Sequence, residues 1–501
     1  MNDQQAPSLL LVIFDALRAS DFPGGETPTE RMPFTTQLLS DSIHFPKAAS
    51  VTPWTIPAHA SAFTGLYPWE SGCHAKKSLV LADSVPKLPA ALRSKGYRSL
   101  LLSANTLVCP RFGLADGFDD AGWGGWWESY IRRGRVDSAP STLHEAKQEA
   151  KILERFRDGP IGRLVINSTE AIYRYPYLFD AADALHQKVR WGDTARNISM
   201  APWIEPSLSA WLSRQPRGTP VFCAINICDT HEPYFVPDGF DKGLRKWWKQ
   251  ARVRQDFVRC ILGSWQPTGE ELRILRTLYR STVQNIDQRL ARIVEIFRQA
   301  GRWDNTVLIA TSDHGQAFGE HGELFHLNGI IDPMLRIPMV YRPVGGTGRT
   351  TRGQGWASLI DIAPTFLREA QINGINLPSA LPLQDLVDRP RPTPVFAVSD
   401  GLVWSHLKKV VPESRKPEFD RVRVVAYSGG LKLVVDTTRP ERQAYDLEQD
   451  PGEVHDVWED VRDSLAPVAD AAVNIGRRMT EKVPEELTPE IEERLRGWGY
   501  V

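Results

Sequence analysis

Three apolar runs in this chain end on polar, chemically useful residues. "LLLVIF" stops at Asp15, "VFCAINI" at Cys228-Asp229, and "TVLIAT" at Ser312-Asp313-His314. Two carboxylates and an imidazole suit a divalent cation such as Zn2+ or Mn2+. The stretch "TPWTIPAHASAFTG", from Thr52 to Gly65, adds three threonine hydroxyls. Pro57 lies near the start of a helical segment, which places a helix N-terminus at Thr55. Such a terminus presents N–H groups and the positive end of a dipole to an anion. A hydroxyl there, beside a metal, can lose its proton and become a nucleophile. Each signal alone is weak, because an aspartate at a strand end is more often a cap or turn residue.

The elements around these residues alternate. Short apolar strands are expected over 9–14, 45–51, 98–103, 221–227 and 306–311, and helices over 33–40, 57–64, 85–95, 272–300 and 360–369. That order predicts an α/β fold with a mostly parallel sheet flanked by helices. Ligands of such sheets bind beyond the carboxyl ends of strands, which draws Asp15, Asp229 and Asp313 together. The pattern weakens between about 120 and 215, which reads as an insertion. Beyond about 376, proline-rich linkers ("LPSALP", "DRPRPTP") precede three short strand patterns, "PVFAVSD", "RVVAYS" and "LKLVVDT". The expected organisation is a catalytic domain over 1–375 and an α+β subdomain over 376–501, with a small antiparallel sheet and terminal helices.

The totals fit a soluble globular protein of ordinary composition. The chain has 501 residues, 42% hydrophobic and 24% charged, with a net charge of -1. No overall field draws it to nucleic acid or to an anionic membrane. Cys73, Cys109, Cys223, Cys228 and Cys260 are scattered, which reads as free thiols in a reducing compartment. The first residues lack a basic region, and the apolar run ending at Asp15 is too short for a signal peptide or a span, so a cytoplasmic location is expected.

Taken together, "LLLVIFDALRA", "TPWTIPAHASAFTGLYP", "DTHEPY", "TVLIATSDHGQAFGEHG" and "AYDLEQDPGE" follow the order found in sulfatase-like members of the alkaline phosphatase superfamily. The chain resembles that family over nearly its whole length, apart from parts of about 120–215 and 235–268. The resemblance implies an alkaline-phosphatase-like sandwich. It puts Thr55 where sulfatases carry the cysteine that becomes formylglycine, an aldehyde that threonine cannot supply. Thr-x-Pro-x-His is similar to the phosphodiesterase branch, whose threonine attacks phosphorus directly. The resemblance therefore singles out Thr55, and leaves Thr52 and Thr64 as structural residues. It makes Asp15, Thr55, Asp313 and His314 the ligands of one divalent ion: zinc, manganese, magnesium or calcium. His59 would orient Thr55 or the substrate. His231, in Asp229-Thr230-His231, would touch the substrate oxygens or protonate the leaving group, and Asp229 would help bind the substrate. His326 stands where several relatives carry an anion-binding lysine; it could donate a hydrogen bond, act as general acid, or bind a second metal. His321 is a weaker candidate.

Several positions depart from the family pattern. Ala16 replaces a second aspartate. Ser103-Ala104-Asn105-Thr106 lacks the sulfate-binding lysine and histidine, and Asn105 is a candidate neutral donor to substrate. One residue, not three, separates Asp229 from His231, which argues against a full second zinc site. "WWESYIRRGRV" (126–136) and "KGLRKWWKQARVRQDFVR" (242–259) mix aromatic and basic residues; they could grip a lipid head group, glycan or nucleotide-type anion, or touch a membrane, although charge runs are usually solvated surface. The expected activity is metal-dependent hydrolysis, or transfer, of a phosphodiester, phosphonate or related phosphorus ester. The rivals are a sulfatase working without formylglycine and a degenerate member that binds an anion, a glycan or a partner. A homo-oligomer is compatible with the sequence; nucleic acid is not an expected partner.

Overall fold

The computed structural model describes residues 6–24, 31–124, 201–232, 234, 266–326, 329–401, 414, 417 and 420–480. Most of the expected insertion and both Trp/Arg-rich runs lie outside them.

Eight strands form the central sheet: β1 (Ser8–Phe14), β2 (Ile43–His44), β3 (Arg98–Ser103), β4 (Asp120–Trp123), β5 (Val221–Ile227), β6 (Thr306–Ser312), β7 (Met339–Arg342) and β8 (Thr351–Arg352). Their order is β8-β2-β7-β6-β1-β5-β3-β4. Only β7 runs antiparallel to its neighbours; the other pairs are parallel. The strand expected over 45–51 is instead two short pieces, Ile43–His44 and Ala48–Ala49, and the second of these belongs to a separate two-stranded sheet.

β1, β5 and β6 are buried along their whole length and mostly apolar because helices cover both faces of the sheet. Alternate side chains enter different cores. Leu9, Leu11 and Ile13 of β1 pack with helix α1 (Thr55–Thr64) and with the helix Ile362–Glu369. Leu10, Val12 and Phe14 face the long helix α2 (Gly269–Gln299) instead. α2 starts at a capping box: Thr268 and Glu271 satisfy each other's backbone N–H groups. Its Ile274, Leu278, Ile286, Leu290 and Phe297 are buried at helical spacing. Each contributes roughly 1.5–3 kcal/mol by leaving water.

The C-terminal strands form the expected antiparallel sheet of four, β9 (Val395–Ser399), β10 (Arg423–Ser428), β11 (Leu431–Asp436) and β12 (Arg442–Asp446). The terminal helix Trp458–Thr480 buries Leu465, Ala469, Ala472 and Met479 in the core it shares with that sheet.

Candidate active site

Strand register puts the chemistry together. Phe14 is paired with Ile227 on one side and with Ser312 on the other, so the residues that follow, Asp15, Cys228 and Asp313, emerge side by side. Asp313 and its neighbour His314 stand beside His59 and Thr55 of α1, and the Cys228 thiol reaches Asp15. Asp229 is one residue further along, and a one-residue step turns a side chain to the opposite face. Its carboxylate meets α2, where Arg289 Nη1 donates to it at 2.7 Å and Asn285 also donates. Asp229 is thus engaged with a buried arginine rather than aimed at the other acidic groups.

Thr55 is the first residue of α1, whose dipole and open N–H groups point toward the cluster. Its Oγ1 lies 3.4 Å from Nε2 of His314. Nε2 of His314 is 3.5 Å from Asp313 Oδ2 and 3.9 Å from Asp15 Oδ1. Asp15, Thr55, Asp313 and His314 are all fully buried.

The donor set fits a divalent ion. Each carboxylate has one oxygen satisfied and one left open. Asp15 Oδ2 accepts from Asn105 Nδ2 at 2.7 Å and from the Cys228 thiol at 3.4 Å. Asp313 Oδ1 accepts from the backbone N–H of His314 at 2.8 Å and of Ala16 at 3.1 Å. Asp15 Oδ1 and Asp313 Oδ2 are buried with no hydrogen-bond partner, which is costly unless a cation meets them. His314 donates Nδ1–H to Gly315 O at 2.9 Å, leaving the Nε2 lone pair toward those oxygens. Burial, then the charge of Asp15, pushes the Asp313 carboxyl well above its usual range. Burial, then the neighbouring His326, keeps the His314 imidazole neutral.

His59 stands one helical turn below Thr55. Its Nδ1 donates to Thr55 O at 2.9 Å and lies 3.7 Å from Asp313 Oδ2. Asn105, expected to meet substrate, instead holds Asp15. His231 and His326 join the same region: their Nε2 atoms are 2.9 Å apart, and the His326 ring stacks on His314 with centroids 4.2 Å apart. His321 is turned away, against Gly452 O.

Four further residues belong to the site. Asn226 bridges His59 and Asn105, Cys228 donates to Asp15, and Gln316 holds Glu232, which sits beside the histidine pair. Asn226 carried a signal in the sequence, as the one amide inside an otherwise apolar strand. Glu232 was visible next to His231 but has meaning only once 231 and 326 are neighbours.

The chain is similar to known proteins. A family model described as Sulfatase covers residues 7–372. A multifunctional alkaline phosphatase superfamily protein of Trinickia caryophylli is 35% identical, over 72% of this chain and 73% of its own. The choline-sulfatase of Rhizobium meliloti (strain 1021) is 23% identical, over 94% of this chain and 86% of its own. Among solved structures, the phosphonate monoester hydrolase of Agrobacterium radiobacter superposes with a TM-score of 0.65 at 18% identity, covering 94% of this chain and 96% of that one. With a family match that spans most of the chain and a buried cluster of ligand-type side chains at the carboxyl edge of a mostly parallel sheet, this protein is a hydrolase belonging to the sulfatase family of the alkaline phosphatase superfamily.

Proposed function

We propose that this hydrolase cleaves a phosphodiester, phosphonate or related phosphorus ester through a covalent intermediate on Thr55. The observation that carries the reading is Thr55 itself: a threonine at a helix N-terminus, beside three ligand-type side chains, in the place where a formylglycine precursor would need cysteine or serine. A divalent ion held by Asp15, Asp313, His314 and Thr55 would lower the pKa of the hydroxyl and neutralise charge on the non-bridging oxygens. Thr55 Oγ1 gives its proton to solvent and forms the bond to phosphorus as the bond to the leaving oxygen breaks. The first N–H groups of α1 face the same side and donate to the substrate oxygens. His59 fixes the Thr55 backbone through its carbonyl. His231 and His326 supply the proton or positive charge that the departing oxygen needs. Water then removes the phosphoryl group from Thr55.

The substrate is a small anionic ester with a lipid, glycan or nucleotide-type remainder. Contact with a membrane surface and self-association belong to the same proposal; among the described residues no helix is long and apolar enough to cross a membrane. Sulfate-ester hydrolysis is the second reading, favoured by the near full-length similarity to a choline-sulfatase.

The test is a set of parallel rates on metal-loaded protein. The substrates are bis-p-nitrophenyl phosphate, p-nitrophenyl phosphate, a phenylphosphonate monoester and p-nitrophenyl sulfate. The expected result is highest kcat/KM on the diester or the phosphonate. A sulfate preference would replace this reading with the second one, and no turnover at all would point to a binding protein.

A further inference from the structure

The turn that follows β1 is held from outside. Ala16 has φ +62°, in the left-handed region that a residue with a Cβ rarely enters. That conformation decides where its N–H points. It donates to Asp313 Oδ1 at 3.1 Å. The His314 N–H donates to the same oxygen at 2.8 Å, and Oδ2 is left as the open one. A turn relaxed to negative φ would take the Ala16 donor away and let the carboxylate rotate.

One hydroxyl grips this strained residue on both sides. Tyr279 Oη donates to Ala16 O at 3.0 Å and accepts from the Arg18 N–H at 2.8 Å. Between them, the Leu17 N–H donates to Ser312 Oγ at 2.9 Å. Tyr279 belongs to α2 and is 263 positions from Ala16. Its ring is fully buried beside Tyr234 and Phe318, with centroids 5.6 and 5.0 Å away. Its neighbours on α2 reach the same loops: Arg280 meets Asp21 at 2.8 Å, and Arg276 meets Glu320 at 2.8 Å. The hydroxyl therefore stands on a fixed mount. Phenylalanine would serve the ring packing equally; only the hydroxyl reaches the turn.

We propose that Tyr279 is a positioning residue for the cation site: acting through backbone alone, its hydroxyl holds the left-handed turn at Ala16 and so aims the Asp313 carboxylate. The proposal rests on Asp15, Thr55, Asp313 and His314 holding a divalent ion, and not on Thr55 being the nucleophile. Alanine resists the left-handed conformation where glycine would not, so this turn depends on its clamp. Outer partners that orient a ligand typically carry about 10- to 100-fold in metal affinity or activity.

The experiment titrates Mn2+ alone, an ion suited to carboxylate ligands, into the metal-free full-length protein by calorimetry. Amide exchange over residues 15–19 is followed in parallel by mass spectrometry. Tyr279→Phe keeps the ring and removes both hydrogen bonds. It should weaken Mn2+ binding by about tenfold or more, and speed exchange over 15–19 by a similar factor, roughly tenfold. Adding Ala16→Gly, which accepts the turn without a clamp, should recover at least about threefold of the lost affinity. Circular dichroism reports folding. Should Tyr279→Phe fail to fold, Ala16→Val, which opposes the turn with the hydroxyl in place, carries the same expected loss. Normal Mn2+ binding and exchange in Tyr279→Phe overturn the proposal alone, as does a loss of affinity that Ala16→Gly leaves in full. A wild type that takes up no Mn2+ overturns the cation site on which the proposal rests.

Discussion

Oγ1 of Thr55 lies 3.4 Å from Nε2 of His314, across 259 positions of sequence. One group opens a helix and the other closes a strand. Replacing Thr55 by alanine removes the attacking oxygen but leaves the carboxylates and both histidines in place. The expected loss is at least ~10^3-fold in kcat on a phosphodiester, with Thr55→Ser keeping more activity than Thr55→Ala. Steady-state kinetics on bis-p-nitrophenyl phosphate check this; an unchanged rate in Thr55→Ala would remove Thr55 from the reaction.

Asp15 and Asp313 make metal binding depend on pH. Burial, then the charge of Asp15, holds the Asp313 carboxyl well above its ordinary value, while at Asp15 burial, which raises the carboxyl, is outweighed by its neighbours, led by His231 and including the Asn105 hydrogen bond, so that the net direction is down. The metal-free protein therefore favours a protonated Asp313. Its stability from this group is present at low pH and is lost as pH rises from the ordinary carboxylate value toward the raised one. A bound cation expels the proton, so affinity should rise with pH through that window. Calorimetry at one pH in buffers of different ionisation enthalpy should show proton release on binding; buffer-independent heats would contradict the prediction.

Asn226 holds three parts of the site at once. Its Oδ1 accepts from Ser103 Oγ at 3.1 Å and from the Asn105 backbone N–H at 3.3 Å. The amide nitrogen is thereby turned to His59 Nε2, at 3.1 Å. His59 must then be the Nδ1–H tautomer that braces Thr55. Asn226→Leu leaves buried polar groups without partners and is expected to cost about 1–3 kcal/mol by urea denaturation. It should also lower kcat more than it raises KM, since the helix start loses its brace. An Asn226→Leu protein with wild-type kcat would show that the brace is dispensable.

Lys432 ties the C-terminal sheet to the loop behind the Asp15–Asp313–His314 cluster. Its fully buried ammonium donates to Asp332 Oδ1 at 3.0 Å, to Ile330 O at 2.7 Å and to Glu453. The carbonyls of Pro333 and Met334, next to Asp332, accept from the backbone N–H groups of Gln316 and Gly315 at 2.8 and 2.7 Å. Lys432→Met removes the cation from between two buried carboxylates, of which Asp332 keeps Tyr427 and Arg336 as partners, and should cost ~3–5 kcal/mol. Chemical denaturation measures it, and adding Glu453→Gln to Lys432→Met should recover part of the loss. Full stability in the single variant would mean that the carboxylates find other partners.

Much of this protein is legible one residue at a time. The apolar runs ending at Phe14, Ile227 and Thr311 declare buried parallel strands, because a strand covered on both faces is apolar over most of its length. Their polar endings mark the edge where a ligand would sit, and the Thr-x-Pro-x-His pattern marks a helix start beside it. Register is another matter. Whether Asp229 or Cys228 stands beside Asp15 depends on how β1 and β5 align, and that is set by the packing of both sheet faces rather than by either strand alone. The sequence suggested Asp229 and Asn105 as substrate contacts. Tertiary packing hands the first to Arg289 and the second to Asp15, since a buried carboxylate takes the nearest strong donor. The pairing of His231 with His326 joins residues 95 positions apart. Nothing local to either one encodes it; the fold alone brings the two rings together and sets the carbonyls of Glu232 and Pro53 against their Nδ1 atoms.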